Sequence, residues 1–343
     1  MSHPTPFTVL ILAAGKGTRM KSIKAKVLHE VFYAPMIHHV VHAVLPLGPS
    51  RTIVIVGHQQ EDVRKVLRNF PVDFVTQEKQ LGTGHAVLAA EQKLSDMHGN
   101  VLILCGDTPL IRPATLQEMY DCHAASSATL TLMTTLLDNP TNYGRILIDS
   151  DDRVVGIVEE KDASPEQRTI REINAGIYCV AKDFLFEALH HIGTDNSQGE
   201  MYLTDIVSLA VAAGKKVERF ITPTPQDILG VNSRVELAAA HKEIQTRRNT
   251  ELMLQGITMH SPESITVSTS STIGRDTLLM AGVYIQGESR IGRSCRIEPG
   301  AIIDNCILGD NVEIGAYSIL KDCDLPSKTV ITPHSQQISR NNV

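Results

Sequence analysis

Tryptophan is absent from this 343-residue chain, and aromatic residues make up only 4% of it. With hydrophobic residues at 42%, the core must be built from aliphatic side chains. No block of five or six like charges occurs and the net charge is −6, which argues against a nucleic-acid partner. No apolar run approaches the roughly 20 residues that span a bilayer, and Met1–Phe7 lacks the shape of a signal peptide. Neither a membrane partner nor export is therefore expected. The six cysteines (Cys105, Cys122, Cys179, Cys295, Cys306, Cys323) show no C-x-x-C spacing, so free thiols in a cytoplasmic protein are the expectation. The adjacent pairs His38-His39 and His190-His191 have no H-E-x-x-H context, so no zinc site is expected.

Against these absences stands Leu12-Ala-Ala-Gly-Lys-Gly-Thr-Arg-Met20, directly after the apolar run Phe7–Leu12. A buried strand here runs into a loop with Gly15, Gly17, Lys16 and Arg19. Glycines let backbone N–H groups approach a polyanion, and the cations neutralise it. The third glycine of a dinucleotide fingerprint is missing, since position 20 is Met, and the chain has no G-x-x-x-x-G-K-[ST].

The length leaves room for one large domain and a smaller one. In the first two-thirds, short apolar runs alternate with amphipathic stretches. Strands are predicted at 8–12, 52–56, 73–75, 101–104, 129–133, 145–148, 154–158 and 176–180. Helices are predicted around 36–45, 61–69, 84–94, 113–123, 184–191 and 205–213. This alternation implies a doubly wound α/β sheet, whose ligands bind beyond the carboxyl ends of the strands. A helical arm follows over Arg234–Gln255. Aliphatic residues then recur every six positions at Ile273, Leu279, Ile285, Ile291, Ile297 and Ile303, and after a five-residue step at Leu308, Ile314 and Leu320. Glycine often follows, as in Ile291-Gly292. That period predicts a short left-handed parallel β-helix of roughly three to four three-sided coils.

Further candidates lie near loops. Lys26 follows the first loop, and Gln77 precedes a second glycine-rich turn, Gln80-Leu-Gly-Thr-Gly-His-Ala86. Cys105-Gly106-Asp107 ends a buried strand, and Gly230-Val231-Asn232 precedes the arm. Each has an ordinary explanation: Lys26 as a solvated surface lysine, Gly82 and Gly84 as turn residues, Asp107 and Asn232 as helix N-caps. Asp107 and Asn232 become a metal pair only if the fold joins them; hard oxygens with open positions suit Mg²⁺.

With these strings in view, the chain resembles the sugar-1-phosphate nucleotidyltransferases, and among them the bacterial N-acetylglucosamine-1-phosphate uridyltransferases. LAAGKGTRM and QLGTGHA carry that resemblance, as do Asn142-Tyr-Gly-Arg145, Gly156-Ile-Val-Glu-Glu-Lys-Asp-Ala163, Glu172-Ile-Asn-Ala-Gly176 and Gly230-Val-Asn232. It implies a Rossmann-like mixed-sheet nucleotidyltransferase domain over 1–232, a helical arm over 233–256 and a short β-helix over 257–343. It also implies roles. Leu12, Ala13, Ala14 and Gly15 would line the uridine and phosphate site, and Gln77, with Gly82 and Thr83, would read the uracil. Arg19 and Lys26 would hold the triphosphate. Asp107, beside Cys105 and Gly106, would bind Mg²⁺ together with Asn232, while Gly144, Glu159, Asn174 and Thr204 would contact the sugar. UTP and N-acetylglucosamine-1-phosphate are the implied substrates, and a homotrimer through the β-helix is the implied assembly.

The chain departs from that pattern in three places. Cys105 stands where the family usually has Tyr, and Ala25 where it usually has Pro. The segment that would carry a second, acetyltransferase activity is expected to be missing, so no acetyl transfer is expected. Two alternatives stay open: a sibling specificity such as glucose-1-phosphate or dTTP, and a weakened paralogue that binds sugar nucleotide without turnover.

Overall fold

The computed structural model describes residues 6–339; most of the Met1–Phe7 segment considered above lies outside the described residues. The chain divides into two units, 1–237 and 238–343.

The first unit is organised on β1 (Phe7–Ala13), an aliphatic strand buried along nearly its whole length. It pairs in parallel on both sides, with β2 (Arg51–Val56) and β4 (Asn100–Cys105). A central strand with both faces covered is apolar almost throughout, here at every position but Thr8, which is why it reads as a nearly continuous run. With β3 (Asp73–Thr76), β5 (Leu130–Leu136), β8 (Glu172–Ala181) and β9 (Val217–Ile221), the order is β9-β5-β8-β4-β1-β2-β3. A β6/β7 hairpin (Arg145–Ile148, Val154–Val158) attaches to β8. The sheet is mixed because β8 runs antiparallel to β4 and β5.

Helices cover both faces. Val9, Ile11, Val54, Val56, Leu102 and Leu104 pack with α1 (Met36–Val44) and α4 (Pro113–Ser126). Leu10, Ile53, Ile55 and Ile103 pack on the other face with α3 (Thr83–Leu88), α5 (Lys182–Leu189) and α6 (Asp205–Ala212). The same strands thus feed two cores by alternation.

Several predicted bounds shift. The helix α2 (Gln60–Val66) ends early, and α3 stops at Leu88 rather than 94 because Ala90 and Glu91 turn to i→i−3 bonds with Val87 and Leu88. Strand β8 begins four residues before the predicted 176, because Glu172, Ile173 and Asn174 already pair with β5; its register then shifts between Asn174 and Tyr178, where the chain passes through Gly176 at φ 70°. The sequence reading missed β9.

In the second unit, the helix α7 (Arg234–Leu254) contributes Leu252 to the core of a left-handed β-helix. Its short strands form three parallel sheets of five, five and four strands, more than the three to four coils expected. Leu279 pairs with Ile297 and Ile285 with Ile303, a coil of 18 residues; Ile291 pairs with Leu308 and Ile297 with Ile314, a coil of 17. The five-residue step in the sequence is this one-residue shortening. The glycine after Ile273 and Ile291 also has a cause. A Cβ on Gly274 would lie 2.6 Å from the Gly292 backbone, and one on Gly292 would lie 2.4 Å from the Gly309 carbonyl oxygen. Successive coils approach too closely there for any side chain.

Candidate active site

The parallel strands β1 to β4 end on the same edge of the sheet, so the loops after Ala13, Val56, Thr76 and Cys105 converge there. Gly17 takes φ 62°, and a Cβ on it would come within 2.5 Å of Lys26 Cβ. The first glycine loop therefore lies against the stem of Lys26. A Cβ on Gly15 would meet nothing within 4 Å, and its φ is not in the left-handed region. Folding alone therefore does not require glycine at 15.

Around this loop lies a cavity of about 500 Å³. It brings together Leu12, Ala13, Ala14, Gly15, Lys26, Gln77, Gly82, Thr83, Cys105 and Asp107 from the predicted set. Lys16, Thr18, Gln80 and Glu200 also line it. Buried Gln77 is oriented by its own neighbours: Nε2 donates to Gly82 O at 3.0 Å and lies 3.1 Å from His85 Nδ1. The second glycine turn is pinned in turn, because Gly84 N–H donates to Met201 O (2.8 Å) and Leu203 N–H to Thr83 Oγ1 (3.0 Å).

At one side of the cavity the fold joins residues far apart in sequence. Lys26 Nζ forms an ion pair with Asp107 and donates to Asn232 Oδ1 at 2.9 Å. Arg19 Nη2 donates to the same oxygen, also at 2.9 Å. Val231 N–H donates to Asp107 O at 2.8 Å, which ties the two loops together. Lys26 is thus no surface lysine; Lys26 and Asp107 are each only about one-sixth exposed. Nor are Asp107 and Asn232 helix caps. Helix α4 starts at Pro113, and at α7 the cap is Ser233, whose Oγ accepts the Glu236 N–H at 3.2 Å. Glu236 Oε2 accepts the Asn232 N–H at 2.7 Å in return. Ser233-x-x-Glu236 was legible as a capping box, but the sequence reading did not use it.

A second cluster takes in the four predicted sugar contacts. Asn174 N–H donates to Gly144 O at 2.9 Å, and Glu159 Oε2 lies 3.6 Å from a Cβ placed on Gly144. Thr204 Oγ1 donates to Glu159 Oε1 at 3.2 Å. Burial raises the Glu159 carboxyl above its ordinary pKa, only partly opposed by the Thr204 bond. Asn174 is spent partly on its own strand, donating to Tyr178 OH and accepting the Gly176 N–H. Cys105 connects the clusters through a weak contact from Sγ to Gly176 O at 3.7 Å. Desolvation pushes its thiol up to about 12, so it is a neutral group at neutral pH although it lines the cavity. Arg145, next to Gly144, is buried and donates to Glu160 Oε2 at 2.7 Å and to Tyr143 O.

All six cysteines are free. His38 and His39 direct Nε2 to the backbone carbonyls of Val66 and Val31. Among the described residues no group of three or more His, Cys, Asp or Glu side chains could hold a metal. Asp107 and Asn232 nevertheless offer two hard oxygens on a shared cation, the donor type Mg²⁺ takes when phosphates complete its shell. No helix among the described residues is long and apolar enough to cross a membrane.

Comparison with known proteins agrees with this geometry. The model of the MobA-like NTP transferase domain matches residues 9–163, and that of the bacterial transferase hexapeptide (six repeats) matches 270–305 and 289–322. A protein of Desulfotalea psychrophila named "Bifunctional protein GlmU" is 51% identical over 337 residues, covering 98% of this chain and 99% of its own length. The chain belongs to the GlmU family. It is accordingly a nucleotidyltransferase enzyme. Other family members extend further. The Geobacter metallireducens protein of the same name is 49% identical over 87% of this chain but 63% of its own length. For the Anaeromyxobacter protein the figures are 42%, 98% and 69%. Among solved structures, a UDP-glucose pyrophosphorylase complexed with UDP-glucose aligns with TM-score 0.57 at 18% identity, over 71% of this chain and all of that one. That likeness supports the mixed-sheet fold.

Proposed function

We propose that the enzyme transfers UMP from UTP to N-acetylglucosamine-1-phosphate, giving UDP-N-acetylglucosamine and pyrophosphate. The observation that carries it is the meeting of Lys26, Arg19, Asp107 and Asn232 beside the open backbone at Gly15. Membership of the GlmU family and the match to an NTP transferase domain support nucleotidyl transfer as the reaction. Catalysis is assigned to residues 1–232, with 233–256 as an arm and 257–343 as the β-helix. A homotrimer through the β-helix belongs to the same proposal. Ile307, Val330 and Ile338 are exposed on it, and light scattering tests the assembly. The free thiols favour a cytoplasmic setting.

In the reaction, an oxygen of the sugar phosphate attacks the α-phosphorus of UTP. The new P–O bond forms as the bond to the β-phosphate bridging oxygen breaks, and pyrophosphate leaves with that electron pair. The nucleophile is already anionic, so no side chain has to remove a proton. The protein aligns the reactants and neutralises charge. Lys26 and Arg19 hold the triphosphate; Gln77, Gly82 and Thr83 hold the base; Glu159, Asn174, Gly144 and Thr204 hold the sugar. Mg²⁺, held by Asp107 and Asn232, would supply further charge neutralisation on the phosphates.

The test is pyrophosphate release with UTP, Mg²⁺ and N-acetylglucosamine-1-phosphate, run beside glucose-1-phosphate and beside dTTP. Release confined to the first mixture supports the proposal. Release only in another mixture moves the assignment to a sibling specificity, and none from folded protein that binds UDP-N-acetylglucosamine points to a binding protein. The expected absence of acetyl transfer gains no support from the comparisons, since a relative named bifunctional is matched over 99% of its length. Acetyl-CoA consumption is therefore measured in the same preparation.

A further inference from the structure

The loop that delivers Lys26 to Asp107 is held from outside the catalytic cluster. Ala25 is buried, and its N–H donates to Gln59 Oε1 at 2.5 Å, across 34 positions of sequence. Gln59 stands at the start of α2, yet its side chain makes no cap bond to that helix. Its backbone lies in the left-handed region at φ 52°, ψ 42°. A glutamine keeps that conformation only where its surroundings hold it. The residues before it reach the first glycine loop. His58 N–H donates to Ala14 O at 3.2 Å, and a Cβ on Gly57 would lie 2.9 Å from Ala14 Cβ. One short segment, 57–59, therefore braces both arms of the phosphate site, through its backbone at Ala14 and through its side chain at Ala25.

We infer that Gln59 is a positioning residue for nucleotidyl transfer. Its side-chain carbonyl fixes the Ala25 peptide and so the direction in which Lys26 leaves the backbone toward Asp107 and Asn232. As to the reaction it serves, this rests on the proposed function. Ala25 itself offers a way to isolate the effect. Its φ of −55° lies within the range of proline, which has no N–H to satisfy and fixes φ covalently. With proline at 25, the Gln59 bond has nothing left to do.

Four variants test this: Gln59→Ala, Gln59→Glu, Ala25→Pro, and Ala25→Pro combined with Gln59→Ala. In the parent, Gln59→Ala is expected to lower kcat about fivefold to tenfold, the worth of one hydrogen bond, with a smaller change in the KM for UTP. Gln59→Glu keeps an acceptor oxygen and retains kcat within about twofold. Ala25→Pro also retains it, and in that background Gln59→Ala costs less than about twofold. Amide exchange at Ala25, read without substrate, is slow in the parent and in Gln59→Glu and fast in Gln59→Ala. An equal loss from Gln59→Ala in both backgrounds, or unchanged exchange at Ala25, overturns the assignment. Should Ala25→Pro fail to fold, equal losses in Gln59→Ala and Gln59→Glu overturn it as well. A parent without turnover would count against the proposed reaction instead, while the exchange measurement would still decide the Gln59 contact.

Discussion

Replacing Gly15 and Gly17 by alanine, one at a time, separates what the fold needs from what the ligand needs. At Gly17 two costs combine. Its φ of 62° is a left-handed conformation, which costs an alanine about 1–2 kcal/mol. The new Cβ would also lie 2.5 Å from Lys26 Cβ and 3.3 Å from its Cγ and Cδ, so the lysine stem must move. In a domain of this size each kcal/mol lowers Tm by about 2–4 °C, so the strain alone should cost Gly17→Ala about 2–8 °C, and the displaced lysine stem adds to it. Displacing Lys26 by even a fraction of its reach costs alignment, and kcat should fall about a hundredfold. At Gly15 neither cost applies, since the built Cβ meets nothing within 4 Å and φ is not positive.

Gly15→Ala should therefore keep Tm within about 1 °C of the parent. It should raise the KM for UTP about tenfold, since a methyl group would stand where the backbone meets phosphate. Thermal unfolding of the first unit and steady-state pyrophosphate release with UTP varied give both numbers from one preparation. Equal loss of Tm in the two variants, with the KM for UTP unchanged in Gly15→Ala, would refute the reasoning. The glycine pair would then serve the turn alone.

The remaining predictions concern charge and burial. Asp107→Ala should cut turnover by about a thousandfold, whereas Lys26→Ala should weaken it less, through phosphate positioning; normal Mg²⁺-dependent turnover in Asp107→Ala would remove Asp107 from the site. Burial holds Glu159 above its ordinary pKa, so the native state keeps that proton more tightly than the unfolded chain. The stability linked to it is present at low pH and is lost as pH rises through the folded pKa. Glu159→Gln should thus raise Tm near about pH 8, leave it unchanged near about pH 4, and weaken sugar-phosphate binding. A fall in Tm at the higher pH would contradict that sign. The Cys105 thiol, pushed up to about 12, should resist iodoacetamide in the folded protein at about pH 8 and react after unfolding. Its modification in the native state, read by mass spectrometry, would show that the thiolate is accessible at that pH.

What was legible in the sequence and what was not divide along one physical line. A strand buried on both faces is mostly apolar, so β1 and its neighbours announce themselves; Val217–Ile221 does not, because it is only half-buried and carries Glu218 and Arg219. The β-helix is legible down to a single residue, because its sequence period and its coil are the same quantity. The five-residue step from Ile303 to Leu308 is the change from an 18- to a 17-residue coil. The site is legible only in its parts. Nothing local marks Lys26, Asp107 and Asn232 as neighbours, since spacing constrains contacts only within one helix or strand. Their meeting depends on parallel strands ending on a common edge. Local signals could still have removed the competing explanations: Ser233 and Glu236 already supply the cap that Asn232 might otherwise have been. Gln59 lies at the far end of this scale. Its side chain answers a single backbone N–H, 34 positions away, and nothing in the sequence around Gln59 points to that loop. Charged residues that contact substrate keep their chemistry visible in the sequence, whereas residues that aim them show only in the fold. The paired Gln59 and Ala25 substitutions therefore probe the part of this enzyme for which the fold is the sole guide.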